Sequence, residues 1–275
     1  MALRSSIQAY FQIRPVGWRD ASRLYLAYLV SLLAKILAPA RFGAVGLLIP
    51  GRGKLTIAVG GVFAHVRPGT NDLDLLAPSY EPQTAAWIRV KTGDFVIDVG
   101  AHIGRYTLFA AKRAARVVAI EPDPSNFSLL QANIQLNNLK NVTALNWALS
   151  SSRGRRRLYL ADRENTGTSS LEAKWVSAPL NRGPKNSVEV ECVTLDHLVE
   201  SLGLETIDWL KIDVEGHEVA VLEGAPHALR CARHLILEVA EGNEDACRNL
   251  VRQAGLQLVA IEWGAPTSNW FLVRS

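Results

Sequence analysis

Residues 94–123 read DFVIDVGAHIGRYTLFAAKRAARVVAIEPD. FVIDV is a short, continuous apolar run of the kind found in strands covered on both faces, and it stops at Gly100. A helix is expected over about 104–114, and a second apolar run, RVVAIE, closes on Glu121. Strand, glycine turn, helix and a second strand ending on an acid make up the arrangement on which nucleotide-binding α/β folds are built.

The spacing of the glycines bears on which nucleotide. A dinucleotide site reads G-x-G-x-x-G, its glycines letting backbone approach a diphosphate. Here Asp98 stands where the first glycine belongs and Ile103 where the third belongs, leaving D-x-G-x-x-x-G through Gly100 and Gly104. An aspartate there repels a diphosphate and favours a cationic ligand, which disfavours an NAD-linked oxidoreductase. S-adenosylmethionine, a nucleoside with an ammonium and a sulfonium, has the matching sign. Its carboxylate can rest on backbone N–H groups near Ala101–Tyr106, and Glu121 is placed to accept both ribose hydroxyls. The competing structural reading has Asp98 merely capping the next helix.

Outward from this unit the βα rhythm continues. Strands are expected near 95–99, 116–121, 142–146, 208–213, 234–239, 256–262 and 269–273, with helices near 104–114, 124–137, 217–229 and 243–254. Alternation of this kind predicts an α/β fold with a doubly wound, mostly parallel seven-stranded sheet. The last two strands are joined only by the short GAPTS, which has no room for a crossover helix, so they should pair antiparallel. Residues 150–187 interrupt the rhythm with Ser, Arg, Gly and Asn, and read as an insertion beside the active site.

The first 60 residues differ from the rest and are expected as a separate extension, with the catalytic domain over 61–275. They hold eight Lys/Arg (Arg4, Arg14, Arg19, Arg23, Lys35, Arg41, Arg52, Lys54) against one acid, Asp20, whereas the remaining residues are net acidic although the chain totals +4. A body that is not basic argues against nucleic acid as its main partner. A helix is expected over about 21–37, with Arg23, Ala27, Ser31, Ala34 and Lys35 on one narrow weak face and large apolar residues elsewhere. It admits two placements, packed on the body or resting peripherally on an anionic membrane. Eleven residues between Arg23 and Lys35 are too few to span a bilayer. KLTIAVGGVFAHVRPG alternates around a Gly-Gly and predicts a β-hairpin, and PQTAAWIRVKTG a helix running from Pro82 towards Gly93. Three scattered cysteines without C-x-x-C spacing fit reduced thiols in a cytoplasmic protein.

Two further segments carry chemistry. ALNWALS ends the third strand, where Asn146, Trp147 and Ala148 could offer an adenine an apolar face and a polar edge; Trp147 reads equally well as core. IDWLKIDVEGHEVAVLEGA crowds Lys211, Asp213, Glu215, His217 and Glu218 at the carboxyl end of the fourth strand, where open α/β sheets bind ligands. Lys211 and Asp213 interrupt an apolar strand, and burying both without a role is costly.

Taken together, VIDVGAHIGRYTL, AIEPDP, ALNWALS, VECVTLDHL and LKIDVEGHEVAVLEGA resemble the FkbM family of S-adenosylmethionine-dependent methyltransferases, from about Thr70 to the C-terminus. The resemblance implies a class I methyltransferase (Rossmann-like) fold and O-methylation of a hydroxyl-bearing metabolite, sugar or glycan. It carries Asp98, Gly100 and Gly104 to the cofactor loop, Glu121 to the ribose, and Lys211, Asp213, Glu215 and Glu218 to the crevice. Ala101, His102, Thr107, Pro122 and Asp123 complete the expected cofactor-binding set. His102 departs from an Asn common in such motifs.

Methyl transfer to an aliphatic hydroxyl needs in-line alignment, exclusion of water and a group that takes the proton. Asp213 is the expected base with His217 as runner-up, Lys211 holds Asp213 ionised, and Glu215 positions the acceptor or the cofactor amine. A divalent cation on Asp213, Glu215 and Glu238 or His217 is the less favoured alternative, because no compact ligand motif appears, and no metal is expected. Other readings keep the fold and change the use: an RNA or protein methyltransferase gripping phosphates through Arg153, Arg155, Arg156 and Arg157, or a non-catalytic nucleotide-binding protein. Arginines alternating along a strand are more often a solvated face, and a relic site has no reason to keep buried charges. The acceptor's identity and the oligomeric state are not written in the sequence.

Overall fold

The computed structural model describes residues 12–37, 44–176 and 186–274. Arg4, Arg41 and residues 177–185 of the insertion lie outside them, as do the side chains of Lys35, Ile36 and Leu37. The described chain begins with β1 (Arg14–Pro15) and α1 (Trp18–Leu37), followed by β2 (Leu55–Val59) and β3 (Val62–Val66). These three strands form an antiparallel sheet. The hairpin turns at Gly60 and Gly61, both at positive φ (55° and 79°), as a two-residue turn matching strand twist requires. A division at residue 60 therefore passes through the turn of one hairpin, whose strands share a core with Leu24, Ala27, Leu73 and Leu108. The extension is welded to the body there.

Helix α1 packs in an unusual sense. Its small residues face inward, with Ala27 and Ser31 buried beside Leu24, and the Arg23 guanidinium donates to the Pro50 carbonyl at 2.8 Å. Small side chains let the helix axis approach the hairpin closely, which leaves the larger apolar side chains outside.

Two short helices follow, α2 (Asp72–Leu75) and α3 (Pro82–Trp87). The helix started by Pro82 ends at Trp87, short of Gly93, because Ile88 turns extended and Val90 is drawn into the cluster with Val96 and Trp209. Then β4 (Phe95–Val99), α4 (Arg105–Ala111), β5 (Arg116–Ile120), α5 (Pro124–Leu136) and β6 (Val142–Leu145) form the first half of the parallel sheet.

The interruption folds as a small sheet of its own. β7 (Ala148–Leu149), β8 (Gly154–Tyr159) and β9 (Ser187–Val193) lie in the order β7-β9-β8, and α6 (Ala173–Val176) sits between β8 and β9 in the chain. Arg155 and Arg157 face Glu191 and Glu189 across the antiparallel β8–β9 ladder. These arginines form the charge-balanced, solvated face of a strand.

After α7 (Leu195–Ser201) come β10 (Ile207–Ile212), α8 (Glu218–Glu223), α9 (Pro226–Cys231), β11 (Ala232–Ala240), α10 (Glu244–Gln253), β12 (Leu256–Trp263) and β13 (Thr267–Arg274). The helix expected over 217–229 is two helices. Pro226 starts the second, and a Cβ on Gly224 would lie 2.3 Å from the Ser150 carbonyl, so the junction is pressed against the insertion. The sheet order is β12-β13-β11-β10-β4-β5-β6, with β13 antiparallel to both neighbours and the other pairs parallel. This is the doubly wound, mostly parallel seven-stranded sheet expected from the sequence. The order reverses between β10 and β4, and a crevice opens at their carboxyl ends.

Candidate active site

Gly100 and Asp213 meet where β4 and β10 leave the sheet. The Asp213 amide donates to the Val99 carbonyl at 3.1 Å, and a Cβ on Gly100 would lie 1.7 Å from the Asp213 carbonyl oxygen. Gly100, at φ 78°, is thus required by the close approach of two backbones. Gly104 has a different reason: at φ 104° it precedes α4, with the Leu130 and Leu108 side chains against it.

The Lys211 ammonium lies 2.8 Å from Asp213 Oδ2, 4.0 Å from Asp98 Oδ1 and 4.9 Å from the centre of the Tyr106 ring. Burial works against the charge on Lys211, but Asp213 and Asp98 outweigh it and push its pKa up. Burial likewise opposes ionisation of Asp213. Lys211 and hydrogen bonds from Glu238 and Lys211 win, and hold that carboxyl below the usual carboxylate range. Asp98 sits behind the crevice, where its Oδ2 accepts from Thr107 Oγ1 at 2.6 Å and its buried Oδ1 has no hydrogen-bond partner. Burial raises its pKa, with Lys211 opposing.

Glu121 is 5% exposed; its two oxygens accept from the His102 and Asp123 amides at 2.8 and 2.9 Å. Burial pushes this carboxyl up to about 8. Each oxygen keeps a lone pair for a further donor, which is what a ribose diol supplies. Ala101, His102 and Pro122 share the crevice wall with Glu121, and Trp147 and Ala148 supply an apolar side. Asn146 does not line it; its amide donates to the Glu121 and Pro122 carbonyls at 2.8 and 3.0 Å and so fixes the strand end. Asp123 caps α5 through Oδ1 and accepts from Ser169 through Oδ2. Thr107 and Gly104 are likewise behind the wall. Burial lowers the His102 pKa to about 4, and its Nε2 lies 3.0 Å from Thr166 Oγ1.

On the far side of Asp213, Glu215 and Glu238 bring one carboxylate oxygen each to within 4.8 Å of it and of each other. Burial and then Asp213 raise both pKa values well above the ordinary carboxylate range, opposite in direction to the shift at Asp213. The trio could ligate a cation, but the Lys211 ammonium already balances Asp213. His217 has both ring nitrogens engaged, Nδ1 with Glu172 Oε1 and Nε2 with Ser150 Oγ, each at 3.0 Å. Glu218, assigned to the crevice from the sequence, faces away and accepts from the Ala240 amide and the Asn243 side chain.

Four side chains at the crevice were not assigned from the sequence: Tyr80 and Glu81, which no motif covers, and Arg105 and Tyr106, which lie within VIDVGAHIGRYTL. Tyr106 donates to Glu81, and Arg105 stacks on both tyrosines while donating to the carbonyls of Leu75, Ala77 and Tyr80. The insertion adds Gly167, Ser169, Ser170 and Leu171, held by the bond from Ser170 Oγ to the Glu215 carbonyl at 2.6 Å.

Residues 98–256 match the model of the methyltransferase FkbM domain, more than half of the chain and all of the crevice-forming strand ends. The chain belongs to the FkbM methyltransferase family. Its cofactor is S-adenosylmethionine, and the lone pairs left on the Glu121 oxygens and the acidic interior fit that donor. Similar proteins include methyltransferase sdnD of Sordaria araneosa, 32% identical over 172 residues (54% of this chain, 66% of sdnD). Hexuronic acid methyltransferase AglP of Haloferax volcanii is 30% identical over 149 residues (54% and 57%). The 31-O-demethyl-FK506 methyltransferase FkbM of Streptomyces tacrolimicus is 31% identical over 164 residues (51% and 63%). The matches span less than two thirds of each of these relatives.

Proposed function

We propose that this protein transfers a methyl group from S-adenosylmethionine to a hydroxyl oxygen of a small-molecule, sugar or glycan acceptor. The observation that carries the reading is the Lys211–Asp213 ion pair at the crevice end of β10, 2.8 Å across, with the Glu215 and Glu238 carboxyls beside it. The name of the Streptomyces tacrolimicus relative, a 31-O-demethyl-FK506 methyltransferase, supports an oxygen acceptor, and that of AglP, a hexuronic acid methyltransferase, supports a sugar.

S-adenosylmethionine, held by Glu121, Ala101, His102 and the apolar wall at Trp147 and Ala148, supplies a methyl group already activated on sulfonium. The protein must align the acceptor, exclude water and take a proton. Asp213 accepts that proton on its carboxylate. A carboxylate held below the ordinary range suffices, because the protonated ether formed by methylation is a far stronger acid than any carboxylic acid. Lys211 keeps Asp213 charged beforehand. Glu215, which lines the crevice, is placed to hydrogen-bond the acceptor's oxygens, with Glu238 beside it. His217, bonded through both nitrogens, positions the insertion that closes the crevice.

The test is methyl transfer from labelled S-adenosylmethionine to a panel of hexuronic acid glycosides, neutral sugars and hydroxylated macrolides, run alongside bulk RNA and protein. Label in a hydroxylated small molecule or glycan, released as a methyl ether, is expected. Label confined to RNA or protein, or calorimetric binding of NAD with none of S-adenosylhomocysteine, overturns the reading.

A further inference from the structure

Helix α1 turns its apolar side to solvent. Trp18, Tyr25, Leu26, Leu29, Val30, Leu32 and Leu33 are each at least 40% exposed, with Trp18 at 77%. At 100° per residue these positions fall within one arc of less than half the helix circumference, opposite the buried Leu24, Ala27 and Ser31. Scattered exposed leucines need no explanation, but a contiguous stripe of seven large apolar side chains along a 20-residue helix marks a contact surface.

The charge around the stripe selects the partner. Asp20 is the only acid among the first 71 residues, and it is spent on the Thr56 amide and on Arg23. Arg14, Arg19, Arg52 and Lys54 are exposed beside the stripe or on the loop that the Arg23 guanidinium grips. An isologous pairing of two copies would set these cations against their own images. A surface of anionic headgroups over hydrocarbon satisfies both the charge and the apolar face, and Trp18 and Tyr25 are the amphipathic aromatics that settle at such a boundary. No helix among the described residues is long and apolar enough to cross a membrane, so α1 would lie in the plane of the surface.

We infer that α1 is a membrane-surface docking helix, binding anionic bilayers through the Trp18–Leu33 stripe with Arg14, Arg19, Arg52 and Lys54 at the headgroups. This inference does not depend on the methyl-transfer reading, and a variant that has lost cofactor binding should still dock.

The full chain is sedimented with sucrose-loaded vesicles of phosphatidylcholine alone or with about one quarter phosphatidylglycerol. Pelleting with the anionic vesicles is expected, weakening several-fold between roughly 50 and 500 mM salt as the charges are screened. Leu29→Asp/Leu33→Asp should lower binding at least tenfold while keeping the native thermal unfolding transition, and brominated lipid should quench a fluorescence component missing in Trp18→Phe. Absence of pelleting, equal binding to neutral vesicles, or a lipid-free dimer that the double variant dissolves would overturn the assignment.

Discussion

The Lys211 ammonium and the Asp213 carboxylate sit 2.8 Å apart at the point where β10 leaves the sheet, with the lysine almost wholly buried and the aspartate's side chain 27% exposed. The pair is one-sided. Its cation is sealed behind the wall with Asp98, while its anion looks into the crevice. Removing the lysine therefore leaves buried negative charge uncompensated, whereas removing the aspartate leaves the fold's interior charge partly balanced by Asp98. Asp213→Asn keeps the shape and deletes the proton acceptor, so turnover should fall by roughly 10²–10⁴ with cofactor affinity changed little. Single-turnover assays alongside calorimetric titration of S-adenosylhomocysteine separate the two effects. Near-normal turnover in the Asn variant would remove Asp213 from the role.

Glu121 links cofactor binding to pH. Its folded pKa of about 8 lies above the ordinary 4.5, so the ligand-free folded state binds the extra proton between those values. The stability this group contributes is full below 4.5 and is lost as pH rises through about 8. Hydroxyl donors from a ribose favour the ionised form, so cofactor binding at pH 7 should release a proton. Calorimetry in buffers of different ionisation enthalpy reads this directly. Glu121→Gln should abolish the release and weaken binding by about 1.5–3 kcal/mol.

The insertion should respond to the loss of one imidazole. His217 ties Glu172 of the insertion to Ser150 at the end of β7, and the Trp175 indole covers Gly216. His217→Ala removes two partly buried hydrogen bonds, a loss of about 1–3 kcal/mol of local stability. Hydrogen exchange over residues 166–176 should accelerate at least tenfold while β4 and β10 stay protected. Unchanged exchange would mean the segment is held by other contacts.

Gly100→Ala should be among the most damaging single substitutions. The added Cβ meets the Asp213 carbonyl at 1.7 Å on a residue at φ 78°. A loss of more than about 3 kcal/mol is expected, read as a lowered denaturation midpoint. Gly93→Ala, also at positive φ but with open space around it, provides the control for strain without collision.

Chelation separates carboxylate from metal catalysis. With Lys211 balancing Asp213, turnover should be the same after exhaustive EDTA treatment and dialysis. Loss of activity restored by magnesium would instead assign Asp213, Glu215 and Glu238 to a cation.

Periodicity and end signals in the chain were enough to determine the sheet. FVIDV, RVVAIE and the apolar run over 234–239 suit strands buried on both faces, and the short GAPTS connection leaves β13 only an antiparallel pairing with β12. Asp98, Glu121, Lys211 and Asp213 were legible for a related reason: each ionisable group ends or interrupts an apolar run, where local sequence offers no compensation for burying it. Tertiary packing decided what those signals could not. Tyr80 and Glu81 reach the crevice from about twenty residues before Gly100, outside every motif, so no spacing announces them. Glu218 has the same local setting as Glu215, yet the turn after β10, with Glu215 at φ 51° and Gly216 at φ 88°, sends one carboxylate into the crevice and the other towards Ala240. The outward face of α1 was undecidable from hydropathy, which favours burying its leucines. Close packing against the β2–β3 hairpin accepts Ala27 and Ser31 instead, because a helix axis can approach a sheet most closely through its smallest side chains.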